Sequence, residues 1–346
     1  MSVYVKGPHD VIALSAIDFV GHGLDRPECV LTHASGALFA ADWAGDGGVA
    51  IVSPDGMVRR VTAKGAPEPM RPNGIALEAG GSFLLAHLGP ENGGVFRLFA
   101  DGSLEPVVTE VGGRPLPPTN FVQLDRWERM WITVSTRMIP RHGAARPDVA
   151  DGFIVLVPPD GPARVVADDL GYTNECIVSA DGRRLCVNET FARRVSRFEI
   201  RDDGSLGPRE TLAVFGEGTF PDGLAPDVEG NLWITSIVSN RVIRVAPDGT
   251  AETLVEDCDR AAVAETEAMF ARGELGSARL NLTLGARLAN ISSLAFGGED
   301  MRRAYLGCLK GDAIATFEMP VAGVEPVHWR ADLGPLIEAG LLDTTA

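Results

Sequence analysis

Apolar and polar positions alternate along most of this chain in short runs that are cut by Asp-Gly turns and seldom hold a helical period. Five segments share one plan: SGALFAADWAGDGGVAIVSPDG, GGSFLLAHLGPENGGVFRLFADG, RRLCVNETFARRVSRFEIRDDG, GNLWITSIVSNRVIRVAPDG and RRAYLGCLKGDAIATFEMP. Each is a β-branched and aromatic run, a polar loop, a second alternating run and, in all but the last, an Asp-Gly turn, the pattern of paired antiparallel strands. ERMWITVSTR and DGFIVLVPPDG form a sixth such unit with a longer loop between its halves.

A further apolar run precedes each unit: ECVLTH, NGIALE, NFVQLD, NECIVS, DGLAPD and SSLAFGG. Their leading residues, Glu28, Asn73, Asn120, Asn174, Asp222 and Ser292 (or Ser293), are separated by 45, 47, 54, 48 and about 70 positions. Units of this length with four short strands apiece predict an all-β fold, a six-bladed β-propeller with four-stranded blades, as a single domain over residues 1–346. A sandwich would not repeat its turn residues at one phase, and an α/β fold would need long helical stretches between the strands. One segment departs from the pattern. EDCDRAAVAETEAMFARGELG, rich in Ala and Glu, predicts one or two helical turns in an insertion (256–289) between blades five and six, either overhanging one face or solvated. An open ring would leave an edge strand prone to aggregation, so Val11 to Val20 is expected to close it as the outermost strand of the last blade, pairing near Ala313 to Phe317.

Charge narrows the partners. A formal net charge of −16 disfavours nucleic acid and anionic lipid. Five scattered cysteines without a CxxC predict reduced thiols, and no apolar run nears the ~18 residues of a membrane helix. With no signal peptide apparent at the N-terminus, the expectation is a cytoplasmic protein, monomeric or weakly homo-oligomeric, acting on a small molecule.

The candidate chemistry follows from phase. Inner strands of a propeller line its channel, so like-phased residues at their starts fall on one ring at one mouth. Asn-Gly and Asp-Gly alone are ordinary turn pairs, yet Asn73-Gly74 and Asp222-Gly223 precede inner runs instead of joining matched strands. Two carboxylates and several amide oxygens, without thiolates or a histidine cluster, suit one hard divalent cation: calcium first, with magnesium, manganese or zinc as alternatives.

Over nearly its whole length the chain resembles the senescence marker protein/gluconolactonase/luciferin-regenerating-enzyme family of six-bladed, regucalcin-like propellers. The likeness is carried by RPECVLTHASGALFAAD, RPNGIAL, NFVQLD with MWITVSTR, TNECIVSADGRRLCVNET, FPDGLAPDVEGNLWITS and SSLAFGGED. It implies that Glu28, Asn174 and Asp222 bind the metal and that Asn120 contacts metal or substrate. Sugar-lactone members often carry an Arg just before that last Asn. Here Pro118 and Thr119 precede it, which leaves Arg137 or Arg141 to supply such a contact.

The expected activity is a metal-dependent lactonase in which the ion polarises the carbonyl and Asp222 serves as ligand and general base through a water. No GxSxG is present to offer a serine route. Asn120 and His87 join Asp222 as catalytic candidates, His87 being either a structural or a substrate-orienting histidine. Asn73, Asn120, Trp43, Arg137 and Ser292 are the expected substrate contacts, and His328-Trp329 is expected to pack on a sheet. Two other activities share the same residues: hydrolysis of organophosphate esters, and non-catalytic binding of a ligand or protein by a metal-stabilised propeller.

Overall fold

The Asp-Gly pairs do what their chemistry suggests at one end of four of the blades. In Asp55-Gly56, Asp101-Gly102, Asp203-Gly204 and Asp248-Gly249 the carboxylate accepts the backbone N–H two residues on, and the glycine takes a φ between 77° and 88°. These tight reversals let alternating runs pair side by side. The computed structural model, which describes residues 12–66, 68–280 and 282–343, is a six-bladed propeller of four-stranded antiparallel sheets. Blades one to five occupy residues 30–62, 72–108, 119–170, 173–214 and 219–255.

Blade six combines Ile291–Gly297, Arg303–Cys308 and Ile314–Glu318 with the N-terminal strand Asp18–Val20. Asp18, Phe19 and Val20 face Thr316, Ala315 and Ile314, which closes the ring within the expected stretch. The closing strand is shorter than expected. Leu14–Ala16 forms a 3-10 turn because the chain bends there to seat Ile17, fully buried, among Trp233, Leu254 and Phe317. Val11 lies outside the described residues.

Apolar faces of neighbouring blades meet to form the core, with Phe39 against Phe83 (5.3 Å between centroids) and Trp233 against Phe296 (6.1 Å). The internal repeat extends to polar detail. Trp131 Nε1 donates to Asp125 at 2.9 Å and Trp233 Nε1 to Asp227 at 2.8 Å, the same pairing at the same spacing in blades three and five. Each satisfies a buried indole N–H at a strand turn. All five cysteines are unpaired. Among the described residues, no helix is long and apolar enough to cross a membrane.

Because strands run antiparallel, the connections that follow each second and fourth strand share the end where the inner strands begin. The insertion is one of these. It holds helix α1 (Arg260–Ala271), capped by Asp259 through Ala261 and Ala262, and a short helix α2 (Ser277–Leu280). The helical part thus exceeds one or two turns, because Val263, Thr266 and Phe270 repeat at helical spacing and bury one face. Phe270 stacks on Phe191 at 5.8 Å and meets Phe220 edge-on at 5.3 Å. The Arg193 guanidinium lies 4.5 Å from both Phe220 and Phe270 and grips Glu267 of α1 at 2.6 and 2.8 Å. The insertion is therefore a fixed wall on the mouth side of blades four and five.

The opposite end is sealed by the C-terminal segment. Its helix α3 (Gly334–Glu338) places Leu336 in the core beneath blades one and two. Trp329 lies in a turn of this segment and packs, as expected, on the sheets of blades five and six with Trp233 and Phe296, and its carbonyl accepts Ala34 N at 2.9 Å. Between the segment and the inner strands lies a cavity of about 170 Å³, bordered by Leu31, Leu77, Ile177, Phe296 and His328.

Candidate functional site

A register shift recurs at the head of the inner strands. It falls between Pro72 and Ile75, Thr119 and Phe121, Thr173 and Cys176, Pro221 and Leu224, and Ile291 and Leu294. Each shift spans a ring residue: Asn73, Asn120, Asn174, Asp222 or Ser292. A bulge bends the strand and re-aims one side chain, and here it is repeated around the channel. Glu28 precedes the first inner strand, Val30–Thr32. The glycines after Asn73 and Asp222 have a separate cause. Neither has a positive φ, but a Cβ on Gly74 would lie 2.7 Å from Phe121 Cα, and one on Gly223 2.4 Å from the Ser292 carbonyl oxygen. Adjacent inner strands come too close there for any side chain.

Five of the ring side chains meet. Asn73 Nδ2 donates to Glu28 Oε1 at 2.8 Å and is shared with the backbone and side-chain oxygens of Asn120 at 3.0 and 3.2 Å. Asn120 Nδ2 donates to Asn174 Oδ1 at 2.6 Å, and Asn174 Nδ2 donates to Thr190 at 3.0 Å, beside the Asp222 carboxyl. All five are at most 5% exposed. Two carboxylate oxygens remain without a partner, Glu28 Oε2 and Asp222 Oδ1. Burial raises the pKa of both carboxyls; for Asp222 the Glu28 charge pushes the same way, while Arg26 and Arg141 oppose.

This donor set fits a hard cation. Two buried carboxylate oxygens without hydrogen bonds lack the compensation that buried charge requires, and the amide oxygens of the ring extend the same oxygen-only set. Among the described residues there is no cluster of three or more His, Cys, Asp or Glu side chains arranged for a metal, so the amides would have to complete any coordination.

Two arginines cap the ring. Arg26, two residues before Glu28, adopts a left-handed backbone (φ 55°), donates to Asn73 Oδ1 at 3.0 Å and stacks 4.3 Å from Trp43. Arg141, in the 3-10 turn Arg141–Ala144, donates to Asn120 Oδ1 at 3.0 Å and Ser135 at 3.1 Å and lies 5.3 Å from the Tyr172 ring. Burial pulls the Arg26 pKa below its usual value; Glu28 opposes that pull and the Arg141 charge adds to it, so the two guanidiniums share one field.

The remaining expected residues fall elsewhere. Arg137 does not join the ring: it pairs with Asp168 at 2.7 and 2.9 Å on the exterior, and Arg141 reaches Asn120 instead. The Ser292 hydroxyl is spent on the Glu28 carbonyl at 2.7 Å, stitching blade six to blade one. Trp43 donates its indole N–H to the Pro72 carbonyl at 2.8 Å and so serves as a platform for Arg26. His87 accepts from Arg71 N at 3.1 Å and packs edge-on to Phe96; burial lowers its pKa, against the opposing charge of Glu68.

Two positions at the ring were not picked out from sequence. Arg26 had a visible signal, since Arg26-Pro27-Glu28 repeats the phase of Arg71-Pro72-Asn73. Glu175 stands where Gly74 and Gly223 stand in their blades. It is buried, accepts Leu224 N at 3.1 Å, and burial together with the Glu28 and Asp222 charges lifts its pKa well above the carboxylate range.

Residues 27–264 match the family model described as the SMP-30/Gluconolactonase/LRE-like region. A 6-deoxy-6-sulfogluconolactonase from Pseudomonas putida is 28% identical over 216 residues, a match spanning 62% of this chain and 62% of that relative's length. Among solved structures, a luciferin-regenerating enzyme superposes with a TM-score of 0.66 at 17% identity, covering 90% of this chain and 98% of that one. A calcium-binding protein, regucalcin, from Agrobacterium tumefaciens superposes with a TM-score of 0.61 at 17% identity, covering 88% and 96%.

Proposed function

Because this chain belongs to the SMP-30/gluconolactonase/LRE-like family, we propose that it is a divalent-cation-dependent lactonase whose reaction centre is the Glu28–Asp222 ring. The observation that carries this reading is the pair of buried carboxylate oxygens, Glu28 Oε2 and Asp222 Oδ1, left without partners inside a ring of amides. Glu28, Asp222 and Asn174 would hold the ion. When bound, it supplies Lewis-acid polarisation of the lactone carbonyl and an acidified water.

The chain's own groups account for the proton. Asp222 accepts a proton from the attacking water as the water oxygen bonds to the carbonyl carbon. When the bond from that carbon to the ring oxygen breaks, the same proton passes to the departing alkoxide, and the product is a hydroxy acid. Asn73 and Asn120 hold Glu28 and Asn174 in place through the amide chain. The Arg26 and Arg141 N–H groups face the ring as hydrogen-bond donors to substrate oxygens. The phenylalanine wall of Phe191, Phe220 and Phe270 limits water on one side.

A panel of γ- and δ-lactones assayed beside a paraoxon-type ester, with calcium, manganese or zinc and again with chelator, tests the reading. Lactone opening that chelator abolishes is the expected result. Exclusive turnover of the phosphotriester would shift the function to phosphoryl chemistry, and no turnover of either class under any cation would leave only a binding role.

A further inference from the structure

Most guanidiniums around the mouth are matched by a carboxylate. Arg137, Arg193 and Arg241 form ion pairs with Asp168, Glu267 and Glu256 at 2.7, 2.6 and 2.7 Å. Arg26 and Arg141 differ: among the described residues neither has an ion-pair partner within 4.0 Å, and each rests on a neutral amide oxygen and an aromatic face. Arg141 Nε is buried with no hydrogen-bond partner at all. Arg26 is held at a left-handed backbone angle that costs energy for a non-glycine residue, so the surrounding structure fixes its position. A guanidinium over the Trp43 ring, with one N–H group on Asn73, has further N–H donors to offer a planar or tetrahedral anion.

We propose that Arg26 and Arg141 form an anion site at the channel mouth that takes a carboxylate, sulfonate or phosphate carried by the lactone away from its reacting carbonyl. The substrate class is thus an anionic lactone. The proposal rests on the lactonase reading for the word lactone; the anion site itself is measurable without turnover.

Isothermal titration of the full chain with sorbitol, gluconate and 6-phosphogluconate, in calcium and in chelator, is the test. The remote phosphate should bind at least tenfold tighter than neutral sorbitol and clearly tighter than gluconate. Arg141→Gln and Arg26→Gln should each remove most of that advantage, and Arg141→Lys should restore part of it. In the unmodified protein, sulfate at constant ionic strength should compete with 6-phosphogluconate, a readout that needs no variant to fold. Equal affinity for the three probes overturns the site, as does equal affinity for gluconate and 6-phosphogluconate, which would assign the anion to the carboxylate freed by ring opening. An anion preference lost in chelator yet intact in both Gln variants also overturns it, since the cation and not the arginines would then hold the anion. If 6-phosphogluconate binds through the arginines but no lactone is opened, the hydrolase reading fails and the anion site stands.

Discussion

Glu28 and Asp222 lie 194 positions apart in the chain, yet each keeps one oxygen buried and free of hydrogen bonds in the same ring. Glu28→Gln removes half of that charge while preserving shape and the bond from Asn73. It should weaken calcium binding at least tenfold in titration calorimetry and abolish lactone opening, with an unchanged β-type circular dichroism spectrum; parental calcium affinity would refute the ring as the ion site. Asp222→Ala takes away a ligand and the base together, so activity within a few-fold of the parent would sink the mechanism. The adjacent glycine carries a stability prediction. Since a Cβ on Gly223 would sit 2.4 Å from the Ser292 carbonyl oxygen, Gly223→Ala should cost about 1–3 kcal/mol, the usual range for overpacking. An unshifted urea midpoint would contradict the close approach. At this scale the phases of the ring residues were legible because a repeat aligns them. The partners of the arginines were not: Arg137 and Arg141 are four apart on one loop, and only the loop's path sends one to Asp168 and the other to Asn120.

Among the elements, the closing strand Asp18–Val20 is short, three residues, and consequential. It contributes three residue pairs, yet it covers the edge of Ile314–Glu318, which would otherwise present unpaired backbone groups. Deleting residues 1–20 should yield insoluble protein in a sedimentation assay, and a soluble, active truncation would show that the ring closes without it. The partner stretch of this strand was expected from the sequence, but its register and its three-residue extent were not. The extent of α1 was not inferred, because its Ala- and Glu-rich composition hides a stripe of three buried residues that acquires meaning only against Phe191 and Phe220.

At the scale of the whole molecule the two ends of the channel differ in chemistry. The mouth gathers carboxylates and guanidiniums; the lower end is mainly apolar and closed by the C-terminal segment. His328 borders the lower cavity with Nε2 lacking a partner, and burial, aided by His33, depresses its pKa to about 4. An unfolded histidine titrates near 6.5, so the unfolded chain takes up this proton first, and the contribution of His328 to stability is lost as pH falls from about 6.5 toward 4. His33 and His87 are shifted in the same direction. Glu28, Glu175 and Asp222, with raised pKa values, act with the opposite sign, so the test is a difference: thermal melts from pH 7 to 4 should fall less steeply for His328→Gln than for the parent. Parallel slopes would show that His328 is accessible to protons in the fold.

Blade number, strand pattern, the closing strand and the oxygen-donor phases were determined by the sequence, because a repeat imposes its period on both local pairing and ring position. Which donors keep free oxygens, which arginines stand unpaired and how the insertion walls the mouth were decided by tertiary structure alone. Those properties depend on distances between side chains from different blades, where an ångström separates a hydrogen bond from an empty coordination site and no one-dimensional pattern carries that measure.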